Sequence, residues 1–301
     1  MTTKRRQQWP ILGEDGLPYS KGVTARALMA GGLAAEQAYE LARLIEKDLQ
    51  ASGRPLDLDR VQELAVQLLG EEEGGRAGWR LRKVRELQEI DEPVILLIGG
   101  STGTGKSTVA TEAAYRLGIT RVTSTDFVRQ TMRAFFSHEF MPSIHYSSFE
   151  AGAALRSPED ADDPMIVGFL EQTRNVLVGV RASIDRALQE GWSLVLEGVH
   201  IVPGMVPAAL DNALVVQCVL AIDDETAHAD HFWVRDAASD GLRPVQKYLE
   251  RLSDIRRLQD YIVERARRNN VPVIENGDVE GAISSVIELV LAASAERMER
   301  V

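Results

Sequence analysis

The densest chemistry in the sequence lies in Gly100-Ser101-Thr102-Gly103-Thr104-Gly105-Lys106-Ser107, a Gly-x-x-x-x-Gly-Lys-Ser pattern followed by Thr108. Glycines at this spacing let the backbone curl until successive N–H groups face one point, and the N-terminus of a following helix favours negative charge there. A triphosphate fits such a nest. Lys106 can reach the β- and γ-phosphates as a point charge, and the Ser107 hydroxyl can ligate a magnesium ion bridging them. The pattern therefore predicts a site for ATP and Mg2+. Gly100, Ser101, Thr102, Gly103, Thr104, Gly105, Lys106, Ser107 and Thr108 form the nucleotide-binding set, and Lys106 is also catalytic.

Asp126 is followed by Arg129 and Arg133, three and seven residues on, which a helix places on one face. A carboxylate beside two guanidiniums suits an acceptor that has a hydroxyl to be activated and an anionic group to be held. Asp126 would orient or deprotonate the hydroxyl, and the arginines would clamp phosphate or carboxylate with their planar fork. Glu197 closes the apolar run Trp192-Ser193-Leu194-Val195-Leu196 and is the candidate partner of Ser107 on the metal, in competition with Asp223 and Asp224. The aspartate pair leads straight into an expected lid, which favours Glu197. His200, just beyond, joins Glu197 in the candidate acceptor-binding set. The lid, Asp224 to Pro244, carries Arg235 and Arg243 as catalytic candidates; arginines on a closing segment can neutralise charge spreading over the transferred phosphoryl oxygens while closure excludes water. His228 and His231 on the same segment have neither a cysteine nor a third ligand nearby and read as surface histidines rather than a metal pair.

These residues need a frame. Val94-Ile95-Leu96-Leu97-Ile98 reads as a buried strand before the glycine loop and Val109 to Leu117 as a helix after it. Strand and helix patterns then alternate: a strand at 121–126, a helix near Phe127 to Phe136, an irregular stretch, and a helix over Pro164 to Gln189 interrupted at Gly168 and Gly179. Strands at 192–197, 213–222 and 271–275, one long helix from Pro244 to about Asn269 and a closing helix over 278–295 complete the pattern. Such alternation predicts an α/β fold with a five-stranded parallel sheet covered by helices on both faces. Residues 1–90 read as a separate small helical domain and 91–301 as the sheet-bearing one. Within the first, Ala25 to Met29, Ala34 to Ile45 and Val61 to Leu69 carry helical spacing, Gly70 to Gly75 reads as an exposed loop, and Trp79 to Ile90 as a connecting helix. In the long helix Arg251, Arg256 and Arg257 are expected to be solvated, unless one of them faces the nucleotide.

Composition narrows the partners. With 301 residues and 45% apolar content the chain can build a sizeable core, and a net charge of −11 argues against a nucleic-acid surface. Its one cysteine, Cys218, sits in an apolar run and reads as a buried structural thiol. The basic start, Met1 to Arg6, has no apolar stretch behind it, and no run approaches a membrane span, so a cytoplasmic protein without a membrane partner is expected. Oligomeric state is not legible.

Several segments resemble a known family. Gly99 to Thr108, Ser124-Thr125-Asp126-Phe127-Val128-Arg129-Gln130-Thr131-Met132-Arg133, Leu196-Glu197-Gly198-Val199-His200-Ile201-Val202-Pro203-Gly204 and Ile255-Arg256-Arg257-Leu258-Gln259-Asp260-Tyr261 are similar to those of 2-phosphoglycerate kinases. Gly13 to Gly22, Ala25 to Met29 and Ala38 to Ala42 resemble an ATP-cone, a small regulatory nucleotide-binding domain, in which Lys4, Lys21 and Arg26 could contact a second nucleotide. The resemblance implies a P-loop NTPase fold similar to the nucleoside monophosphate kinases, and transfer of the ATP γ-phosphoryl group to 2-phosphoglycerate, giving 2,3-bisphosphoglycerate. It also implies that Asn276 lies by the adenine. Two other readings stay open: a kinase for inositol or another polyol phosphate, and a nucleotide-responsive switch that phosphorylates no metabolite.

Overall fold

The computed structural model describes residues 19–52, 57–238 and 245–299. Lys4, Gly13 to Pro18 and Arg243 lie outside the described residues, as does the side chain of Arg235. The chain forms two compact units: the described residues of Met1–Asp91 with Ala113–Ile119 and Ile287–Val301, and those of Glu92–Glu112 with Thr120–Val286.

In the first unit, four helices run in order: α1 (Lys21–Ala30), α2 (Ala35–Ser52), α3 (Leu58–Leu69) and α4 (Glu71–Glu89). Leu28, Leu41, Ile45, Leu64 and Leu81 are buried at its centre. Asp57 caps α3 by accepting from the Arg60 N–H at 2.7 Å. The expected loop at Gly70 to Gly75 is instead the first turn of α4. Glu71, Glu72 and Glu73 occupy that turn, where acidic groups complement the helix dipole. Gly74 is needed there because α3 passes so close that a Cβ would lie 2.5 Å from the Val66 backbone. Lys21 pairs with Glu46 at 3.1 Å, and the Arg26 guanidinium lies 5.7 Å from the centre of the Tyr115 ring.

The second unit is built on five parallel strands: β1 (Val94–Gly99), β2 (Val122–Ser124), β3 (Leu194–Glu197), β4 (Leu214–Ala221) and β5 (Val273–Glu275), in the order β2-β3-β1-β4-β5. Every residue of β1 and β3 is buried, as strands covered on both faces require. Between the strands run α5 (Lys106–Leu117), α6 (Thr125–Phe135), α7 (Pro164–Glu190), α8 (Glu225–Ala238), α9 (Val245–Leu249) and α10 (Leu252–Arg268), and α11 (Val279–Glu299) follows β5; the ends of α5 and α11, from Ala113 and from Ile287, belong to the first unit. Cys218 is buried in β4, where desolvation pushes its thiol up to about 12. Three 3-10 segments, Pro142–His145, Ser148–Ala154 and Pro158–Asp160, replace the irregular stretch.

Two expectations change. α7 runs unbroken through Gly168 and Gly179, since each glycine costs a helix only about 1 kcal/mol and a long buried face outweighs that. The long helix after Pro244 is two helices, α9 and α10, parted at Glu250 and Arg251. The turn brings Val245 and Ile255 into one cluster with Phe149 and Phe232. Among the described residues no helix is long and apolar enough to cross a membrane.

Register decides what meets at the carboxyl edge of the sheet. Glu197 is paired with Ile98 of β1 on one side and with Ser124 of β2 on the other. The glycine loop, Glu197 and the start of α6 therefore emerge from three adjacent strands, the edge where open α/β sheets bind ligands.

Candidate active site

Lys106 is 8% exposed and turns back into its own loop, donating to the Ser101 carbonyl and, at 3.3 Å, to Thr104 Oγ1. Thr104 Oγ1 in turn donates to Ser101 O at 3.0 Å, and Ser101 Oγ to Ile255 O at 2.8 Å. Ser107 Oγ donates to Glu197 Oε1 at 2.9 Å, which brings the two expected metal ligands together. Asp224 is used elsewhere, whereas the bond at Asp223 is made by its backbone and not by its carboxylate. The Asp223 N–H donates to the Glu275 carboxylate at 3.1 Å, and Asp224 Oδ1 accepts from the Ala227 N–H at 2.7 Å at the start of α8.

The loop is also held from outside. His228 Nε2 donates to Thr102 O at 2.8 Å, His231 Nδ1 to Gly103 O at 2.9 Å, and Asn276 Nδ2 to Thr104 O at 2.9 Å. The expected surface histidines are thus loop contacts. His228 is wholly buried, because α8 lies on the loop rather than standing off as a free lid; desolvation lowers its pKa. Asn276, 1% exposed, spends its amide N–H on the loop carbonyl.

Across the strand ends, Ser124 caps α6 by accepting from the Phe127 N–H at 3.0 Å, which leaves Asp126 in the first turn with its side chain 63% exposed. Asp126 Oδ1 lies 3.5 Å from Arg129 Nε. Partial burial raises the Asp126 carboxyl, but the positive charges facing it, the Arg129 guanidinium and the Lys106 ammonium among them, more than offset it, so the group sits below the ordinary carboxylate range. Arg129 Nη1 donates to the carbonyls of Ile144 and Tyr146, each at 2.9 Å. Arg133 is exposed and donates to Gln130 Oε1 at 3.1 Å.

His200 is not a surface that a ligand can touch. It is fully buried, with Nδ1 2.9 Å from Thr125 Oγ1 and Nε2 3.0 Å from Gln172 Oε1. The Gln172 amide nitrogen donates to Ser143 O at 2.6 Å and Tyr146 O at 3.0 Å, so its oxygen must face the imidazole. The imidazole proton is then on Nε2, and Nδ1 accepts from the Thr125 hydroxyl. Burial pushes the His200 pKa down to about 3, so the ring is neutral and braces the start of α6 instead of binding an anion.

No protein-family model matches the chain. A 2-phosphoglycerate kinase of Methanothermobacter thermautotrophicus is 40% identical over 276 residues, covering 90% of this chain and 89% of the relative. One from Thermococcus kodakarensis is 37% identical over 272 residues, 90% of this chain and 92% of the relative; one from Methanopyrus kandleri is 36% identical over 276 residues, 91% and 84%. The chain belongs to the 2-phosphoglycerate kinase family.

In this member of the 2-phosphoglycerate kinase family, Arg251 and Arg257 are exposed as expected and Arg256 is not. Arg256 is drawn onto the chain after β4, donating to Ile222 O at 3.3 Å and Asp223 O at 2.8 Å, while Gln259 brackets Ile222 through both amide atoms. Arg257 pairs with Asp163 at 2.7 Å and Arg251 with Asp254 at 3.3 Å, both from exposed positions. Gln172, Gln259 and Thr125 escaped the sequence reading. Gln172 and Gln259 signal only as polar residues interrupting an apolar helical stripe and Thr125 only as the first residue of α6, and each finds its partner far along the chain.

Proposed function

We propose that the chain transfers the γ-phosphoryl group of ATP to the free hydroxyl of 2-phosphoglycerate, giving 2,3-bisphosphoglycerate and ADP. The bond between the γ-phosphorus and the β–γ bridging oxygen breaks, a bond to the acceptor oxygen forms, and the hydroxyl proton is lost. One observation carries the reading: Glu197 is bonded to Ser107 of the phosphate loop and paired in register with Ser124, which caps the helix bearing Asp126. A nucleotide tail in the loop and a hydroxyl at Asp126 would then face each other across the end of β3.

The roles follow from chemistry. Lys106 would swing from Ser101 O onto the phosphate oxygens. Asp126 is ionised well below neutral pH, so it is a weak base; it would align the hydroxyl by accepting its hydrogen bond, which is what a loose phosphoryl-transfer transition state needs. Arg129 and Arg133 would hold the acceptor's phosphate and carboxylate. Ser107 and Glu197 offer the hard oxygen donors that Mg2+ takes, one or two from protein beside those of phosphate. When bound there it would screen the charge of the β- and γ-phosphates. A cavity of about 510 Å³ beside Ser107 and Thr108, lined by Thr111, Val279 and Ile283, supports placing the nucleoside there. Arg235, on α8, and Arg243 remain the arginines proposed to neutralise charge on the transferred group.

The test is 31P NMR of the chain with ATP, Mg2+ and 2-phosphoglycerate. Appearance of 2,3-bisphosphoglycerate with stoichiometric ADP is expected. ATP consumption with glycerate or a polyol phosphate but not with 2-phosphoglycerate would remove the acceptor assignment.

A further inference from the structure

The geometry points to His228, His231 and Asn276 as an outer rack that sets the phosphate loop: positioning residues that orient three backbone amides for the nucleotide without touching it. The inference rests on the nucleotide-binding half of the proposed function and on nothing about the acceptor.

A trans peptide directs the C=O of one residue and the N–H of the next to opposite sides. Three consecutive carbonyls, those of Thr102, Gly103 and Thr104, are drawn to one side by donors from outside the loop. The N–H groups of Gly103, Thr104 and Gly105 must then point to the other side, which is the orientation an anion nest needs. In the preceding peptide, by contrast, the Ser101 carbonyl accepts from Lys106 and Thr104 within the loop. The rack begins where α8 and the segment after β5 begin to supply donors.

Its parts are well seated. Carbonyl oxygens only accept, so His228 carries its proton on Nε2 and His231 on Nδ1. The His228 ring stacks on Phe232, centroids 5.5 Å apart, and Phe232 on Tyr248 at 5.1 Å. His228 Nδ1 is buried without a partner, which the unprotonated nitrogen tolerates and a second N–H would not. α8 approaches so closely that a Cβ at Gly103, where φ is +87°, would lie 2.5 Å from Phe232 and 2.9 Å from His228 Nε2. Gly103 is thus required by the rack as well as by the curl of the loop.

Because the two histidines use different nitrogens, conservative replacements separate a donor role from simple packing. The amide nitrogen of glutamine overlays imidazole Nε2, and that of asparagine overlays Nδ1. ATP affinity of the full chain, measured by calorimetry without acceptor, should fall roughly tenfold in His228→Leu and His231→Leu. It should stay within about threefold of wild type in His228→Gln and His231→Asn, while His228→Asn and His231→Gln should behave like the leucine variants. Asn276→Asp, which keeps the shape but offers no donor, should lose at least as much as the leucine variants, and KM for the acceptor should not move. If asparagine and glutamine act alike at both positions, or if folded leucine variants bind ATP as wild type does, the rack is only packing and the inference is overturned. Wild-type protein that binds no ATP would instead bring down the proposed reaction itself, and the inference with it.

Discussion

The phosphate loop and the proposed acceptor face emerge from β1 and β2, on either side of β3, yet are held in opposite ways. In the loop, three successive carbonyls are tied to side chains from α8 and from beyond β5, the Ser101 hydroxyl to α10, and the Lys106 ammonium is folded inside. On α6 only part of the face is fixed: Arg129 is pinned to two carbonyls, whereas Asp126 is 63% exposed and Arg133 is bonded to its own helix. The difference teaches how binding energy is divided. A loop that presents amides to a triphosphate loses little freedom on binding. An exposed arginine must give up about 2 kcal/mol of rotamer freedom when a ligand orders it. Binding at the proposed acceptor side accordingly depends on side chains that the ligand must order, and binding at the loop on amides already held in place.

The largest effect should come from Asp126→Asn. It keeps the shape of the face and removes the charge that aligns the hydroxyl, so kcat should fall by roughly 10²- to 10⁴-fold while ATP affinity stays within about twofold. Steady-state kinetics beside ATP calorimetry would read both. A variant that retains most of its turnover would break the comparison, since the charge on α6 would then have no part in the chemistry.

The two arginines sharpen it next. Arg133→Ala should raise KM for the acceptor roughly 30-fold, the worth of a charge-assisted contact, and leave the unfolding midpoint unchanged. Arg129→Lys should raise it by a similar factor but also lower the midpoint, because a lysine cannot hold the carbonyls of Ile144 and Tyr146 together with Asp126. Acceptor titrations with thermal melts of both variants check this. Equal midpoints would mean that Arg129 is as free as Arg133.

How much of this was legible in the sequence depends on the distance between partners. The glycine loop, its strand and its helix lie within one short stretch, and Asp126, Arg129 and Arg133 share one helix face, so local spacing sufficed. Glu197 was legible as a strand end, where register sets it beside Ile98, the residue before the glycine loop's Gly99, and within reach of Ser107. His228 and His231 were not, because a histidine on a helix looks the same whether its helix lies against a loop 126 residues earlier or faces water. Gly70 to Gly75 misled for the opposite reason: glycine's poor helix propensity is local, while the close passage of α3 and α4 that calls for it is tertiary. The break at Glu250 and Arg251 likewise answers to packing on Phe149 and Phe232, which no apolar periodicity records.

The smallest effect tests what lies beneath the acceptor face. His200 is fully buried with a pKa near 3 in the folded chain, against an ordinary value of about 6.5 when unfolded. Below pH 6.5 the unfolded chain takes up a proton that the folded one refuses. The contribution is therefore whole above about 6.5 and is lost as pH falls toward 3, at about 1.4 kcal/mol per pH unit in mid-window. His228, lowered by burial as well, acts with the same sign, so wild type alone cannot separate them. His200→Gln can, because glutamine still donates to Gln172 Oε1 but does not titrate. Urea unfolding at pH 6, 5 and 4 should show the stability of wild type falling faster than that of the variant by close to one proton's worth per unit. Parallel slopes would mean that His200 is reached by water and protons in the folded state, and that the start of α6 rests on a looser base than the Thr125–His200–Gln172 chain provides.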